Sequence, residues 1–246
     1  MASAGKRTAA TAAVAAEPNA TTSVARPRTK PADVRREELM AAAAQIFIER
    51  GIAATKIEEI VAAADVGKGT FYLHFDSKER LLQALQARFV ERFFGDLQAA
   101  MDERRPNDHR GRLRAWIATG VDIYLDRAAE HDLVFHQFHP EGPREPHDNP
   151  IVTQLAELLA DGVRANAWLT ATPRLTAVML FAALHGALDE AVTPPPPPRP
   201  KPRAPASSAA KSSPKPPAKA PAISGEERER LVRTVQTFFH RALGLG

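Results

Sequence analysis

The stretch Gly67-Lys68-Gly69-Thr70 combines residue types that can bind the phosphates and bases of a nucleic acid. The two glycines leave the start of a helix free of side-chain bulk, so its backbone N–H groups can approach a phosphate. Lys68 and Thr70 lie on the first turn of that helix, where side chains reach base edges in the major groove. The expected chemistry is therefore recognition of a nucleic acid by hydrogen bonds and charge.

Three further hydrogen-bond donors follow in the sequence. Tyr72 and His74 can donate to phosphate oxygens, and Lys78 lies on the first turn of the next helix. Two short helices, 57–63 and 68–74, must position these side chains, and with their tight turn they have the proportions of a helix-turn-helix. A plain helical hairpin packed against its neighbours has the same proportions, so geometry alone leaves both interpretations open.

The rest of the ordered sequence shows helical periodicity, and no segment shows sustained alternation with a period of two. A long helix is expected from about Lys78 to Met101. Further helices are predicted at about 109–128, 130–138, 150–168, 173–192 and 226–243. We therefore predict an all-α fold of about nine helices, with an N-terminal three-helix helix-turn-helix domain and a larger C-terminal helical bundle.

Residues 36–82 also carry a recognisable series of short motifs. They are AAQIF at 43–47, RGI at 50–52, TKIEEIVAAADV at 55–66, GKGTFYLHF at 67–75 and DSKERLL at 76–82. Over these residues the chain resembles the DNA-binding domain of the TetR family of bacterial transcriptional repressors. Position 67 departs from the family pattern, because Gly stands where Ser usually caps the recognition helix and can contact a phosphate. Glycine is an acceptable cap, worse than Ser by only a few tenths of a kcal/mol.

The resemblance implies roles for particular residues. Lys68, Gly69 and Thr70 would meet bases. The DNA backbone would be held by Thr55, Lys56, Tyr72, His74 and Lys78. Phe71 and Phe75 are interpreted instead as core, since aromatic residues four apart on a helix usually pack together.

Charge is distributed unevenly along the chain. Residues 1–31 carry a net charge of +4 and residues 193–224 a net charge of +6, whereas residues 36–82 carry −2. Both basic segments are predicted to be disordered, the first as an N-terminal arm and the second as a Pro/Ala/Lys-rich insertion between the last two helices. The arm, with Arg26, Arg28 and Lys30, either reaches along DNA or is a solvated tail. The predicted organisation is thus 1–31 arm, 32–82 DNA-binding domain and 83–246 regulatory domain.

TetR-like repressors pair through their last two helices, here about 173–192 and 226–243. The predicted interface combines small residues on the first helix with an apolar stripe on the second: Ala183, Gly186, Ala187, Leu231, Val235, Phe238, Phe239 and Ala242. A two-fold dimer suits both faces, because two recognition helices must meet successive major grooves roughly 34 Å apart. Packing within one chain is the alternative for these residues.

The family also senses small molecules in a cavity of the C-terminal body. Large apolar residues with a few polar groups are candidates for its lining. The candidates are Trp116, Tyr124, Phe135, Phe138, His139, Trp168, Met179 and His185. For each one taken singly, an ordinary core position is the alternative, because large apolar side chains fill interiors by default.

Several classes of function are not expected. The chain has no cysteine, which excludes disulfides, thiolate metal sites and a cysteine nucleophile. His131, His136 and His139 suggest a metal site, yet zinc needs three or four convergent ligands, and no metal site is expected there. No metal, cofactor or catalytic residue is predicted, and the catalytic motifs of enzymes are missing. No apolar run approaches the roughly 18–20 residues of a membrane span, so no membrane partner is expected.

Together these features predict a cytoplasmic, nucleoid-associated regulator of transcription. It would bind a palindromic operator as a homodimer and be released by an apolar or amphipathic effector, most simply as a repressor. The alternatives are a nonspecific nucleoid protein that uses its basic segments, and a helical scaffold that no longer binds DNA. Operator sequence, effector, regulated genes, repression versus activation, and the role of residues 193–224 are not encoded in any recognisable pattern.

Overall fold

A computed structural model describes residues 31–138, 149–193 and 223–245. All regular structure in these ranges is helical, which confirms the predicted fold class. The helices are α1 (Ala32–Arg50), α2 (Ile57–Ala63), α3 (Lys68–His74), α4 (Lys78–Asp102), α5 (His109–Asp126), α6 (Ala128–Asp132), a π turn (Leu133–Gln137), α7 (Pro150–Arg164), α8 (Pro173–Val192) and α9 (Gly225–Ala242). The predicted arm before residue 31, most of the predicted insertion and His139 lie outside the described residues.

The N-terminal unit packs α1, α2, α3 and the first half of α4 around one apolar core. Leu39, Phe47, Ile60, Phe71 and Leu81 are fully buried there. Glycine ends α1 at residue 51, where a φ of 83° lies in the left-handed region that side chains disfavour. These short helices cannot bury an apolar face alone, so their mutual packing is what fixes the position of α3.

The C-terminal unit has a second core formed by α5, α7, α8, α9 and the far half of α4. Trp116, Leu155, Leu159, Leu184 and Phe239 lie in its centre. A hydrogen bond of 3.1 Å from Trp116 Nε1 to Gln154 Oε1 satisfies the one polar atom of the indole.

Helix α4 belongs to both units. Leu81, Leu82, Leu85 and Phe89 are buried in the N-terminal core, whereas Leu97 is buried in the C-terminal core. The π turn also reaches across, since Leu133 and Val134 pack in the N-terminal core. The apolar packing of the N-terminal unit therefore extends past residue 82, where the sequence placed the domain boundary.

Two predicted helices differ from the observed ones. The segment 130–138 is a short α-helix followed by a π turn, in which residues five apart come onto one side. The predicted helix 150–168 stops at Arg164, because Asn166 adopts a left-handed φ of 56° and turns the chain back. This turn places Trp168 against the helix it has just left.

Helix α8 contradicts the prediction that no apolar run approaches the length of a membrane span. By length and composition it is apolar enough to cross a membrane, and 28% of its most apolar window is buried inside the chain. One such helix is weak evidence for a span, because core helices pass the same test. Leu180, Leu184 and Leu188 of α8 pack in the C-terminal core.

Candidate DNA-binding surface and ligand cavity

Helix α3 is anchored by its aromatic residues and presents its other faces to the outside. Phe71 and Phe75 are 0% and 4% exposed, which confirms their assignment to the core. A Cβ atom added to Gly67 or Gly69, at the start of α3, would have no neighbouring atom within 4 Å. The first turn of α3 is consequently open to a large partner, and its backbone can be approached closely.

Lys68 lies at this open end and is already paired. Its Nζ donates to Glu58 Oε1 of α2 at 2.6 Å. This hydrogen bond and the opposite charge raise the pKa of Lys68 and lower the pKa of Glu58. Lys56 and Gly69 are exposed and Thr70 is half-buried. The Lys68–Glu58 contact joins the starts of α2 and α3 into one accessible edge.

The structure gives Thr55 and Lys78 a different role from the one that the family resemblance implies. Thr55 is 2% exposed, and its hydroxyl donates to the carbonyl of Gly51 at 2.8 Å. Lys78 is half-buried and donates to the carbonyls of Ile52 and Thr55 at 2.8 and 3.1 Å. Thr55 therefore ties the loop before α2 back to the end of α1, and Lys78 ties the same loop to α4. The structure corrects both to positioning residues.

Further along α3, Tyr72 is exposed and His74 half-buried. Sequence reasoning missed Leu73, whose side chain is 83% exposed on the same helix. An apolar side chain on a recognition helix can contact the methyl group of thymine. The signal available in the sequence was a large apolar residue facing away from the Phe71/Phe75 stripe.

A cavity of about 880 Å³ lies between the two units. Helix α4 supplies more of the lining residues than any other helix, including Phe89 and Phe93. Phe181 and Leu184 of α8 line the cavity from the other side. Four of the eight predicted lining residues border it: Trp116, Tyr124, Phe135 and His185. Its size and mainly apolar walls suit a small apolar or amphipathic molecule.

The other described candidates for the lining lie elsewhere. Trp168 is buried, donates from Nε1 to the carbonyl of Leu159 at 2.8 Å and packs on Gly162. Phe138 belongs to the N-terminal core, and Met179 is 55% exposed on α8. These three assignments are corrected, because periodicity shows that a residue is apolar but not which surface it faces.

One wall of the cavity is polar. His131 and His185 approach each other with their Nε2 atoms 2.9 Å apart, and Tyr124 donates its hydroxyl to Asp189. His136, Asp189 and both of these histidines bring potential metal-ligand atoms within 4.8 Å of one another. Burial, with the neighbouring His185 and His136, lowers the pKa of His131 to about 3. Sequence reasoning singled out His131 and His136 but grouped them with His139, and it missed that His185 and Asp189 join them from a helix about 50 residues away.

The predicted dimer residues fall into two groups. Ala183, Gly186, Ala187, Phe238 and Ala242 are exposed on α8 and α9, and Leu231 is half-buried. The remaining two, Val235 and Phe239, lie in the core of their own chain. They are therefore corrected to intrachain packing residues, and the outer face of α8 and α9 stays open.

Comparison with known proteins supports the DNA-binding unit. Residues 39–85 match the family described as bacterial regulatory proteins, tetR family. The transcriptional activator FasR of Mycolicibacterium smegmatis is 32% identical over 114 residues, which cover 46% of this chain and 51% of that protein. The repressor KstR2 of Rhodococcus jostii is 35% identical over 88 residues, covering 36% and 42% respectively. The chain thus spans about half the length of the curated relatives it matches.

A solved structure extends the likeness in fold beyond that unit. The regulator FadR from Bacillus subtilis, solved in complex with stearoyl-CoA, superposes with a TM-score of 0.54 at 18% identity. The match covers 63% of this chain and 85% of FadR. Residues 39–85 are accordingly similar to the DNA-binding unit of the bacterial regulatory proteins of the tetR family, and the fold of the chain is similar to that of FadR.

Proposed function

We propose that the chain is a dimeric repressor that binds a palindromic operator and releases it when a small molecule enters the cavity. Residues 32–82 would bind DNA and residues 83–246 would regulate, in the bacterial cytoplasm. The observation that carries the proposal is α4, a single helix whose first half holds the DNA-binding core and whose middle lines the cavity.

The DNA contacts follow from the accessible edge of α2 and α3. Gly69 permits close approach of the backbone, Lys68 and Thr70 reach base edges, and Lys56, Tyr72 and His74 hold phosphates. Because the folded DNA-binding residues 36–82 carry a net charge of −2, counterion release from this unit contributes little affinity by itself. Specific contacts must then supply most of the discrimination between sites.

The coupling follows from the cavity lining. Phe89 and Phe93 of α4 line the cavity and also pack in or against the N-terminal core, so an occupant would touch side chains that hold that core. The Nε2 atom of Gln86, also on α4, donates to the carbonyl of Val134 in the π turn at 2.9 Å. An effector that moves α4 by a fraction of its diameter would move the DNA-binding units apart or together. Such coupling lowers operator affinity by roughly 5- to 150-fold in typical allosteric proteins.

The effector class follows from the same cavity. Aromatic and aliphatic walls favour an acyl chain or ring system, and the His131/His185 wall offers hydrogen bonds for a polar end group. FadR, whose fold is similar, was solved with stearoyl-CoA, and long-chain acyl-CoA is therefore the first probe to use.

The operator test is a competition experiment with DNA flanking the gene. Footprinting should find one palindromic site, and binding to it should resist excess bulk DNA at physiological salt. The double variant Lys68→Ala/Tyr72→Ala should lose that preference, whereas Arg105→Ala in the exposed loop after α4 should keep it. Equal affinity for bulk DNA, falling away as salt rises, would favour a nonspecific nucleoid protein instead.

The effector test uses Gly120, which lines the cavity. A Cβ there would lie 3.7 Å from Leu97 Cδ2 and 4.0 Å from Leu184 Cδ2, so Gly120→Ala fits without strain. Gly120→Leu extends further into the cavity. We expect acyl-CoA to lower the operator affinity of the wild type and of Gly120→Ala at least about 10-fold. Gly120→Leu should stay bound to the operator. Equal release of Gly120→Leu would place the effector elsewhere.

A further inference from the structure

Three histidines and an aspartate converge at the junction of α5, α6, the π turn and α8. His131 and His185 bring their Nε2 atoms to 2.9 Å. His136 Nε2 lies 3.6 Å from Asp189 Oδ1, and His185 Nδ1 lies 3.1 Å from Asp189 Oδ2. Tyr124 donates to the same aspartate from α5. The cluster thus joins elements that are distant in sequence.

The π turn is what brings His131 and His136 together. In a regular α-helix residues five apart point in different directions, whereas π-helical hydrogen bonding places them on one side. Their ring centroids lie 5.3 Å apart. On α8, His185 and Asp189 are four apart and share a face of a regular helix. Two local geometries therefore aim four side chains at one point.

The donor set has a definite chemical preference. Imidazole nitrogens with one carboxylate suit Zn²⁺ and neighbouring transition-metal ions, whereas Ca²⁺ and Mg²⁺ prefer oxygen ligands. With bonds of about 2.0–2.2 Å, ligand atoms around tetrahedral Zn²⁺ stand about 3.3–3.6 Å apart. Two separations in the cluster, 2.9 and 3.6 Å, lie near that range, and all four candidate ligand atoms lie within 4.8 Å of one another.

The surroundings also suit a ligand set. His131 is only 4% exposed, so an ion bound to it would be shielded from water. Tyr124 donates its hydroxyl to Asp189 and helps to hold that carboxylate in place.

From this geometry we infer that His131, His136, His185 and Asp189 bind one divalent transition-metal ion of the Zn²⁺ type per chain. The ion would connect α8 to the π turn, whose residues Leu133 and Val134 pack in the N-terminal core. This inference does not depend on the proposed repressor function, because the site is defined by metal binding alone.

The test measures metal binding directly on the full chain without a polyhistidine tag. After chelator treatment and dialysis, titration calorimetry with Zn²⁺ should give one tight site per chain. Co²⁺ should produce the strong visible absorption of a tetrahedral ion, and Zn²⁺ should abolish that absorption.

Two variants, one from each side of the site, are compared with a histidine outside it. His136→Asn and Asp189→Asn should each lower Zn²⁺ affinity at least about 10-fold, whereas His240→Asn should not. Circular dichroism confirms that all three variants are folded. The inference is overturned if wild type binds no stoichiometric ion, or if either cluster variant keeps wild-type affinity. In that case the residues form only a hydrogen-bonded wall of the cavity.

Discussion

At the scale of single residues, the ion pair between Lys68 and Glu58 sets the charge that α3 offers to DNA. Both side chains are more than half exposed, and their atoms meet at 2.6 Å. A phosphate or base that uses Lys68 must compete with this carboxylate. In the proposed complex Glu58 would therefore act against DNA binding through Lys68.

Replacing the carboxylate tests this competition. Glu58→Gln should raise operator affinity roughly 2- to 5-fold, because an exposed pair is weak but its partner is freed for DNA. Fluorescence anisotropy with labelled operator at several salt concentrations measures both affinity and salt slope. Glu49→Gln changes the net charge equally on the exposed side of α1 and serves as control. Equal gains in the two variants would show that only net charge matters.

Gly162 gives a second prediction at this scale. A Cβ on this residue would lie 2.1 Å from the Trp168 ring, a distance that real Cβ atoms do not reach. Gly162→Ala should therefore displace Trp168, break its bond to Leu159 and lower the free energy of unfolding by about 1–3 kcal/mol or more.

Gly95 is the matched control, since its built Cβ meets nothing within 4 Å on an exposed side of α4. Gly95→Ala should raise the free energy of unfolding by about 0.5–1 kcal/mol through helix propensity. Urea denaturation monitored by tryptophan fluorescence and circular dichroism measures both variants. Equal effects of the two substitutions would contradict the close approach of Trp168 to α7.

At the scale of elements, Arg88 connects three helices. From α4 it reaches Glu37 of α1 at 3.0 Å and Glu130 of α6 at 3.7 Å, and only 11% of its side chain is exposed. Arg92 lies one turn further along α4, 3.5 Å from the same Glu37, but its side chain is 53% exposed. The two arginines share a partner and differ in burial.

This difference predicts unequal stability effects. Arg88→Met should lower the free energy of unfolding by about 1–3 kcal/mol, since a shielded charge-assisted contact is lost. Arg92→Met should change it by no more than about 0.5 kcal/mol, as expected for exposed pairs. Urea denaturation compares the two. A larger loss in Arg92→Met would mean that burial does not govern these contacts.

At the scale of the whole molecule, the outer face of α8 and α9 remains uncovered in one chain. Phe238 of α9 is 50% and Met179 of α8 55% exposed, and Ala183 and Gly186, one and two turns along α8 from Met179, leave room for close helix approach. Exposed apolar side chains of this kind are typical of an interface. A two-fold dimer through it is part of the proposed function.

Placing a charge in this face should separate the two copies. Ala183→Glu buries a carboxylate on both sides of the proposed interface, so we expect a monomer with unchanged helicity and at least 10-fold weaker operator binding. Light scattering after size-exclusion chromatography reports the mass. Ala99→Glu, on an exposed side of α4, is the control and should stay dimeric. A dimeric Ala183→Glu would place the interface on another surface.

The sequence by itself determined the features that depend on neighbouring residues. The helical periodicity and the motif around Gly67 to Phe75 predicted the fold class and the location of α3, because these signals act within one or two turns. The inward positions of Phe71 and Phe75 followed from their spacing alone. The exposure of Leu73 follows from the same local pattern.

Only the tertiary structure decided which surface each side chain faces and which distant residues meet. Thr55 and Lys78 form hydrogen bonds that hold the loop before α2 in place. Val235 and Phe239 lie in the core of their own chain, and Trp168 packs on α7 rather than in the cavity. The convergence of His131 and His136 with His185 and Asp189 required both a π turn and the packing of α8 beside it. Apolar periodicity specifies that a face is buried, whereas its partner depends on how whole helices pack, and no local pattern encodes that arrangement.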